Sequence, residues 1–202
     1  RNPDTARTLH TDLSARGRAR LQVLRRTRHD RAAIRQSHEK RNTSYACPIE
    51  EIVMAQTLEL LLDALEDVDD ATREEAAKAL AELGDPKSLE ALIGACSDEY
   101  WSVRAHAASG IGKIGGPKAL EALVGLFDDP IMEVRNQAVE SAARMGTAVL
   151  DRMLAALKDE RWRVREHAAK TCGEIQDSRA VDALMVACRD RDGAVKSAAA
   201  EA

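Results

Sequence analysis

The chain has few aromatic side chains: one Phe, two Tyr and two Trp in 202 residues. Strand-forming residues are thin as well, and the apolar 45% is mostly Ala and Leu. That composition favours helix over sheet. The four cysteines, Cys47, Cys96, Cys172 and Cys188, make no C-x-x-C pair and no dense framework. A disulfide-stapled secreted domain is therefore disfavoured, and a reduced, cytoplasmic setting is expected. No apolar run approaches membrane-spanning length and no signal peptide is visible, so no membrane association is expected. The first residue is not Met, which leaves open that the sequence is a fragment.

Charge is plentiful but unevenly placed. Residues 1–44 hold twelve Arg or Lys against four Asp or Glu, a balance of +8 within a chain of net charge -4. The remainder is thus strongly acidic. The basic residues are mainly arginines, among them Arg16, Arg18, Arg20, Arg25, Arg26, Arg28, Arg31 and Arg35. Leu21, Leu24 and Ile34 give this segment only a thin apolar stripe. Three readings stay open for this arm and linker, residues 1–53. They form a solvated, disordered arm, or residues 1–44 grip nucleic acid or an acidic partner, or residues 1–53 are not native because translation starts at Met54.

The rest of the chain repeats. Val103-Arg104, Val134-Arg135 and Val164-Arg165 recur at intervals of 31 and 30 residues, with Thr72-Arg73 before them and Val195-Lys196 after. Six residues ahead of each basic residue stands Asp67, Asp98, Asp129, Asp159 or Asp190. Nine residues ahead of each Asp stands Leu58, Leu89, Leu120, Leu150 or Val181. Each unit carries two amphipathic helical patterns, such as LEALIGAC and SVRAHAASGIGKI. Gly84-Asp85-Pro86 and Gly115-Gly116-Pro117 punctuate the early units; Gly ends one helix and Pro starts the next. The expected units are about 57–84, 85–115, 116–146, 147–177 and 178–202, within an array over 54–202.

This unit resembles the HEAT-like repeats first associated with phycobilin lyases, which also carry Asp, Val-Arg, Ala-Ala and a Gly-Asp-Pro corner. The resemblance covers about residues 55–202. It implies an all-α fold, an α-solenoid of about five two-helix repeats behind a basic N-terminal arm. It also explains Gly110, Gly112 and Gly115, which satisfy the G-x-G-x-x-G spacing of a dinucleotide site. No strand precedes them, and in the repeat they fall inside and at the end of a second helix. No cofactor is expected there.

In related arrays the second helices line the ligand-facing layer. By that resemblance the outward positions include Trp101, Ser102, His106 and Ser109 in unit two, and Met132, Glu133, Asn136, Gln137 and Glu140 in unit three. Unit four offers Trp162, Arg163, Glu166, His167 and Lys170. Trp101 and Trp162 share one column, and His106 and His167 share another. Two exposed Trp beside Met and Arg suit a protein partner. The recurrent Asp is expected to accept backbone N–H groups in turns, and the recurrent Arg to reach an acid or carbonyl of a neighbouring unit.

Enzymatic readings are weaker. Deoxyhypusine hydroxylase is built on similar repeats and holds iron by His-Glu pairs after Val-Arg. The equivalent pairs here are Glu74-Glu75, Ala105-His106, Asn136-Gln137 and Glu166-His167, so no metal site is expected. Cys96, Cys172 and Cys188 align with Phe127, Ile111 and Leu157 and read as core positions. The resulting expectation is a non-catalytic scaffold or adaptor that binds a protein through its second-helix face. A bilin-lyase-like subunit and an arm-borne nucleic-acid binder are the alternatives. HEAT-like DNA glycosylases grip DNA with basic repeats, whereas these repeats are acidic.

Overall fold

The computed structural model describes the backbone of residues 48–202 and the side chains of residues 55–202. Among the described residues there are ten α-helices and no strand. They are α1 (Pro48–Leu65), α2 (Asp70–Leu83), α3 (Leu89–Ala95), α4 (Trp101–Ile114) and α5 (Pro117–Leu126). There follow α6 (Met132–Arg144), α7 (Leu150–Ala156), α8 (Trp162–Ile175), α9 (Val181–Ala187) and α10 (Gly193–Glu201). Short 3-10 turns at Pro86–Ser88, Gly146–Val149 and Ser178–Ala180 lead into α3, α7 and α9. The fold is all-α, of the solenoid class. The chain divides into two compact bodies, one up to Leu80 and one from Ala81 to Ala202.

In the first body α1 begins at Pro48, ahead of the array boundary expected at residue 54. Its side Leu58, Leu61, Ala64 and Leu65 is buried, as are Ala76, Ala77 and Leu80 of α2. Asp69 caps α2 by accepting the Thr72 backbone N–H at 3.2 Å and its hydroxyl at 2.8 Å.

The second body is built by repetition. The second helices α4, α6, α8 and α10 pack in sequence, each on the one before. The first helices pack on their own second helices, and α5 also lies against α3. Val103, Val134, Val164 and Val195 are fully buried at equivalent places, next to Ala-rich pairs such as Ala107-Ala108 and Ala168-Ala169. Small residues let the second helices approach closely. A Cβ on Gly112 would lie 2.5 Å from the Ser141 Cβ, and one on Gly110 would lie 2.8 Å from Leu92 Cδ1. Gly110 and Gly112 of the dinucleotide-like spacing thus serve helix packing, and Gly115 ends the helix.

The corner chemistry follows the sequence, with one deviation. Gly115 closes α4 at φ 76°, and its N–H reaches the Ile111 carbonyl. At the end of α8 the same job falls to Gln176, held in the left-handed region at φ 54°. A side chain there is disfavoured because Cβ crowds the carbonyl.

Three expectations about exposure are corrected. Cys188 is exposed, although its column is filled by buried Phe127 and Leu157 upstream. Ser102 is buried, with its hydroxyl unpaired, because it faces inward from the first turn of α4. His167 is buried as well, for reasons given below.

Candidate protein-docking edge

Every unit turns from its first to its second helix through the recurrent Asp. The side chains of Asp67, Asp98, Asp129, Asp159 and Asp190 each accept the backbone N–H two residues on, at 2.8–3.0 Å. The second helix starts one residue later in all five units, at Asp70, Trp101, Met132, Trp162 and Gly193. The loop is further fixed by the recurrent Arg. Nη1 of Arg73, Arg104, Arg135 and Arg165 donates to the carbonyl of its own unit's Asp at 2.6–3.0 Å. These contacts make the first residue of each second helix a rigid, repeated platform.

Adjacent platforms in the second body are latched together. Arg104 donates Nε and Nη2 to Asp129 at 2.7 and 2.9 Å, and Arg165 does the same to Asp190 at 2.8 and 2.9 Å. The expected reach of Arg to the next unit's acid is therefore real at these two steps. At the step between them it fails. Asp159 is taken by Arg161, whose Nε and Nη2 donate at 3.0 and 3.1 Å. Arg135 keeps its backbone bonds, but its Nε is buried without a partner. Arg161 is the signal in the sequence: the equivalent positions are Asp69, Tyr100, Ile131 and Asp192, and none is basic.

The platforms carry Trp101, Met132 and Trp162, exposed at 44%, 57% and 40%. Tyr100, beside Trp101, is also exposed. Arg163 lies over the Trp162 ring at 4.9 Å and reaches Asp128 at 3.5 Å. An arginine stacked on an indole is held in place by the ring's negative face. Glu99, Glu133 and Glu160 lie along the edge, and the arginines beside Trp162 are engaged with acids, Arg161 with Asp159 and Arg163 with Asp128.

The remaining expected positions separate. Asn136 and Glu140 are exposed on α6, and Gln137 is half-buried with Nε2 near Glu140 and Ser141 at 3.4 Å. Glu166 and Lys170 are half-buried on α8 and pair at 2.7 Å. His106 is half-buried on α4. His167 leaves the surface group. Its ring sits 6.1 Å from that of Phe127, and Nδ1 lies 2.7 Å from the Arg163 carbonyl. Burial pushes its pKa below the usual value, outweighing the opposing pull of that carbonyl and of Glu166. The expected arginines of residues 1–44, and Cys47, lie outside the described residues.

Nucleophile chemistry finds little support in the cysteines. Burial pushes the Cys96 thiol up to about 12, helped by Asp129, and the Cys172 thiol up to about 11. Such thiols stay protonated at neutral pH. Among the described residues no three His, Cys, Asp or Glu side chains converge as metal ligands. None of the described helices is long and apolar enough to cross a membrane.

Comparison with known proteins agrees with this architecture. The HEAT repeats family matches residues 58–143 and again 128–202. No curated protein matches the chain. Among solved structures, the CpcE–CpcF complex of phycocyanin lyase from Nostoc sp. PCC7120 is similar at 21% identity and TM-score 0.51, over 80% of this chain and 65% of that one. A designed armadillo repeat protein crystallised with a (KR)4 peptide is similar at 19% identity and TM-score 0.44, over 76% and 83%. An engineered protein matches at 21% identity and TM-score 0.45, over 76% and 80%. With repeated Asp turns, stacked second helices and a family match over most of its length, the chain belongs to the HEAT-repeat family.

Proposed function

We propose that this protein is a non-catalytic scaffold that binds a protein segment along the edge formed by Trp101, Met132 and Trp162. One observation carries the reading: three successive second helices start with a large apolar side chain left in water. A single exposed apolar residue is ordinary, but a row of them on a rigid frame is the signature of an interaction surface. Helices packed about 8–10 Å apart put the two indoles roughly 20 Å from each other. A segment in the polyproline II conformation rises about 3.1 Å per residue with three residues per turn, so every third side chain would meet an anchor. Glu99, Glu133 and Glu160 along the edge suit basic residues of the segment.

The test is affinity for a partner recovered with the intact chain. Trp101→Ala and Trp162→Ala are each expected to weaken binding at least tenfold, the scale of an interface hot spot. Glu140→Ala, away from the edge, is expected to change it less than threefold. Equal affinity for all three variants would refute the edge. Absorbance titration with a linear tetrapyrrole separates this reading from the lyase one, because the scaffold predicts no spectral change.

A further inference from the structure

The second helices of Ala81–Ala202 do not all pack equally on one another. The contact of α6 with α8 is less extensive than that of α4 with α6 or of α8 with α10, although α10 is the shortest of the four. Two columns explain the difference. A Cβ on Gly112 of α4 would lie 2.5 Å from the Ser141 Cβ, and one on Gly173 of α8 would lie 2.8 Å from Ala202. The column of Gly112 and Gly173 holds Ala143 in α6. The column of Ser141 and Ala202 holds the buried Thr171 in α8. An added Cβ and a branched neighbour hold this one pair of helices further apart.

The arginine latch fails at the same step. The latched pairs stand 25 residues apart, and Arg135 and Asp159 one fewer. Arg135 is nonetheless set for a partner. Its Nη1 donates to the Asp129 and Pro130 carbonyls at 2.6 and 3.0 Å, as Nη1 of Arg104 and of Arg165 does in its own turn. Its Nε, the atom that in Arg104 and Arg165 reaches the next Asp, is buried and unpaired. A buried donor without an acceptor costs more than an exposed ion pair returns. The Asp159 side chain gives both oxygens to Arg161, whose side chain is 49% exposed. Two guanidiniums of neighbouring units thus compete for one carboxylate.

We infer that the α6–α8 step is a two-state joint of the array, open while Asp159 pairs with Arg161 and latched when Asp159 passes to Arg135. In the latched state the Arg135 Nε gains its acceptor, the Asp159 turn draws toward α6, and the Arg161 guanidinium is released beside Trp162. Met132 and Trp162 begin the helices on the two sides of the joint, so the swap resets the distance between them. The joint stands whether or not the Trp edge binds a partner.

Hydrogen exchange of the full chain, followed amide by amide, reads local opening of the joint. The amides of α6 and α8 are expected to exchange at least fivefold faster than those of α4. Arg161→Ala removes the competitor, and it is expected to slow exchange in α6 and α8 at least threefold while leaving α4 unchanged. Arg135→Lys keeps the charge but cannot hold its own turn and Asp159 together. In that background Arg161→Ala is expected to protect nothing. Uniform exchange from α4 to α8 in the unaltered chain overturns the joint. Unchanged or faster exchange in Arg161→Ala overturns the swap, because cutting a merely structural ion pair gives no protection. Protection that survives Arg135→Lys overturns the part assigned to Arg135.

Discussion

At the scale of single residues, position decides what an ion pair contributes. Arg104 and Asp129 have side chains only 11% and 5% exposed and share two hydrogen bonds. Arg104→Ala leaves the buried Asp129 carboxylate without its cation, keeping only the Ile131 N–H, and the expected loss is about 3 kcal/mol in denaturant unfolding. Arg152 and Glu121 make the same two bonds at an exposed site, and Arg152→Ala is expected to lose at most about 1 kcal/mol. Gln176→Gly relieves a left-handed side chain and is expected to raise stability by roughly 0.5–1 kcal/mol. His167 gives a pH signature. Its folded pKa is depressed by burial, so the unfolded chain binds the proton more readily. Its contribution is therefore intact above about pH 6.5, the ordinary imidazole value, and is lost as pH falls toward the folded value. Thermal unfolding between pH 7 and pH 5 checks this: His167→Gln is expected to flatten the decline. The Asp turns were legible in the sequence because they are local and recur with the period. The burial of His167 was not, because its column holds His106 and Gln137 elsewhere and Phe127 approaches from another unit.

At the scale of elements, the helix boundaries follow from the repeat more closely than the side-chain pairing does. All five second helices start in one column, because one Asp turn starts each of them. Their caps nonetheless differ. Asp69 and Asp192 cap α2 and α10 with side-chain bonds. Tyr100, Ile131 and Arg161 offer no such bond to α4, α6 and α8. Tyr100→Asp is expected to stabilise α4 by roughly 0.5–1 kcal/mol in thermal unfolding, because an orphan N–H of the first turn gains an acceptor. The first helices are short where a 3-10 turn precedes them and longer in α5, where Pro117 enters the α-helix directly. The broken latch between Arg135 and Asp159 was not legible from the Val-Arg columns. A competing guanidinium two residues beyond the acid is a local feature, and a search for periodic columns passes over it.

At the scale of the whole molecule, paired acids set the response to pH. Across unit boundaries Arg165 holds the Asp190 carboxyl below the usual range and Arg152 does so for Glu121, and within its own turn Arg161 does so for Asp159. A depressed carboxylate stabilises the fold above its unfolded value, near 4, and loses that contribution as pH falls further. Acid unfolding of the second body is thus expected to steepen below about pH 4. A repeat array is a sum of units and interfaces, so a cut latch is expected to loosen its neighbours first. The family and helical class were readable from three periodic columns. The use of the array was less so, because exposure depends on which unit covers which, and Cys188 shows that one column can be core in one unit and surface in another.

The row of platforms has an optical consequence. Trp101 and Trp162 are the only indoles in the chain, and both stand partly in water in the native state. Native emission is therefore expected to lie close to that of the denatured chain, leaving heat-induced unfolding nearly silent in this channel. An occupant that dries either ring would shift the spectrum to the blue, and the protein would report its own occupancy without a dye.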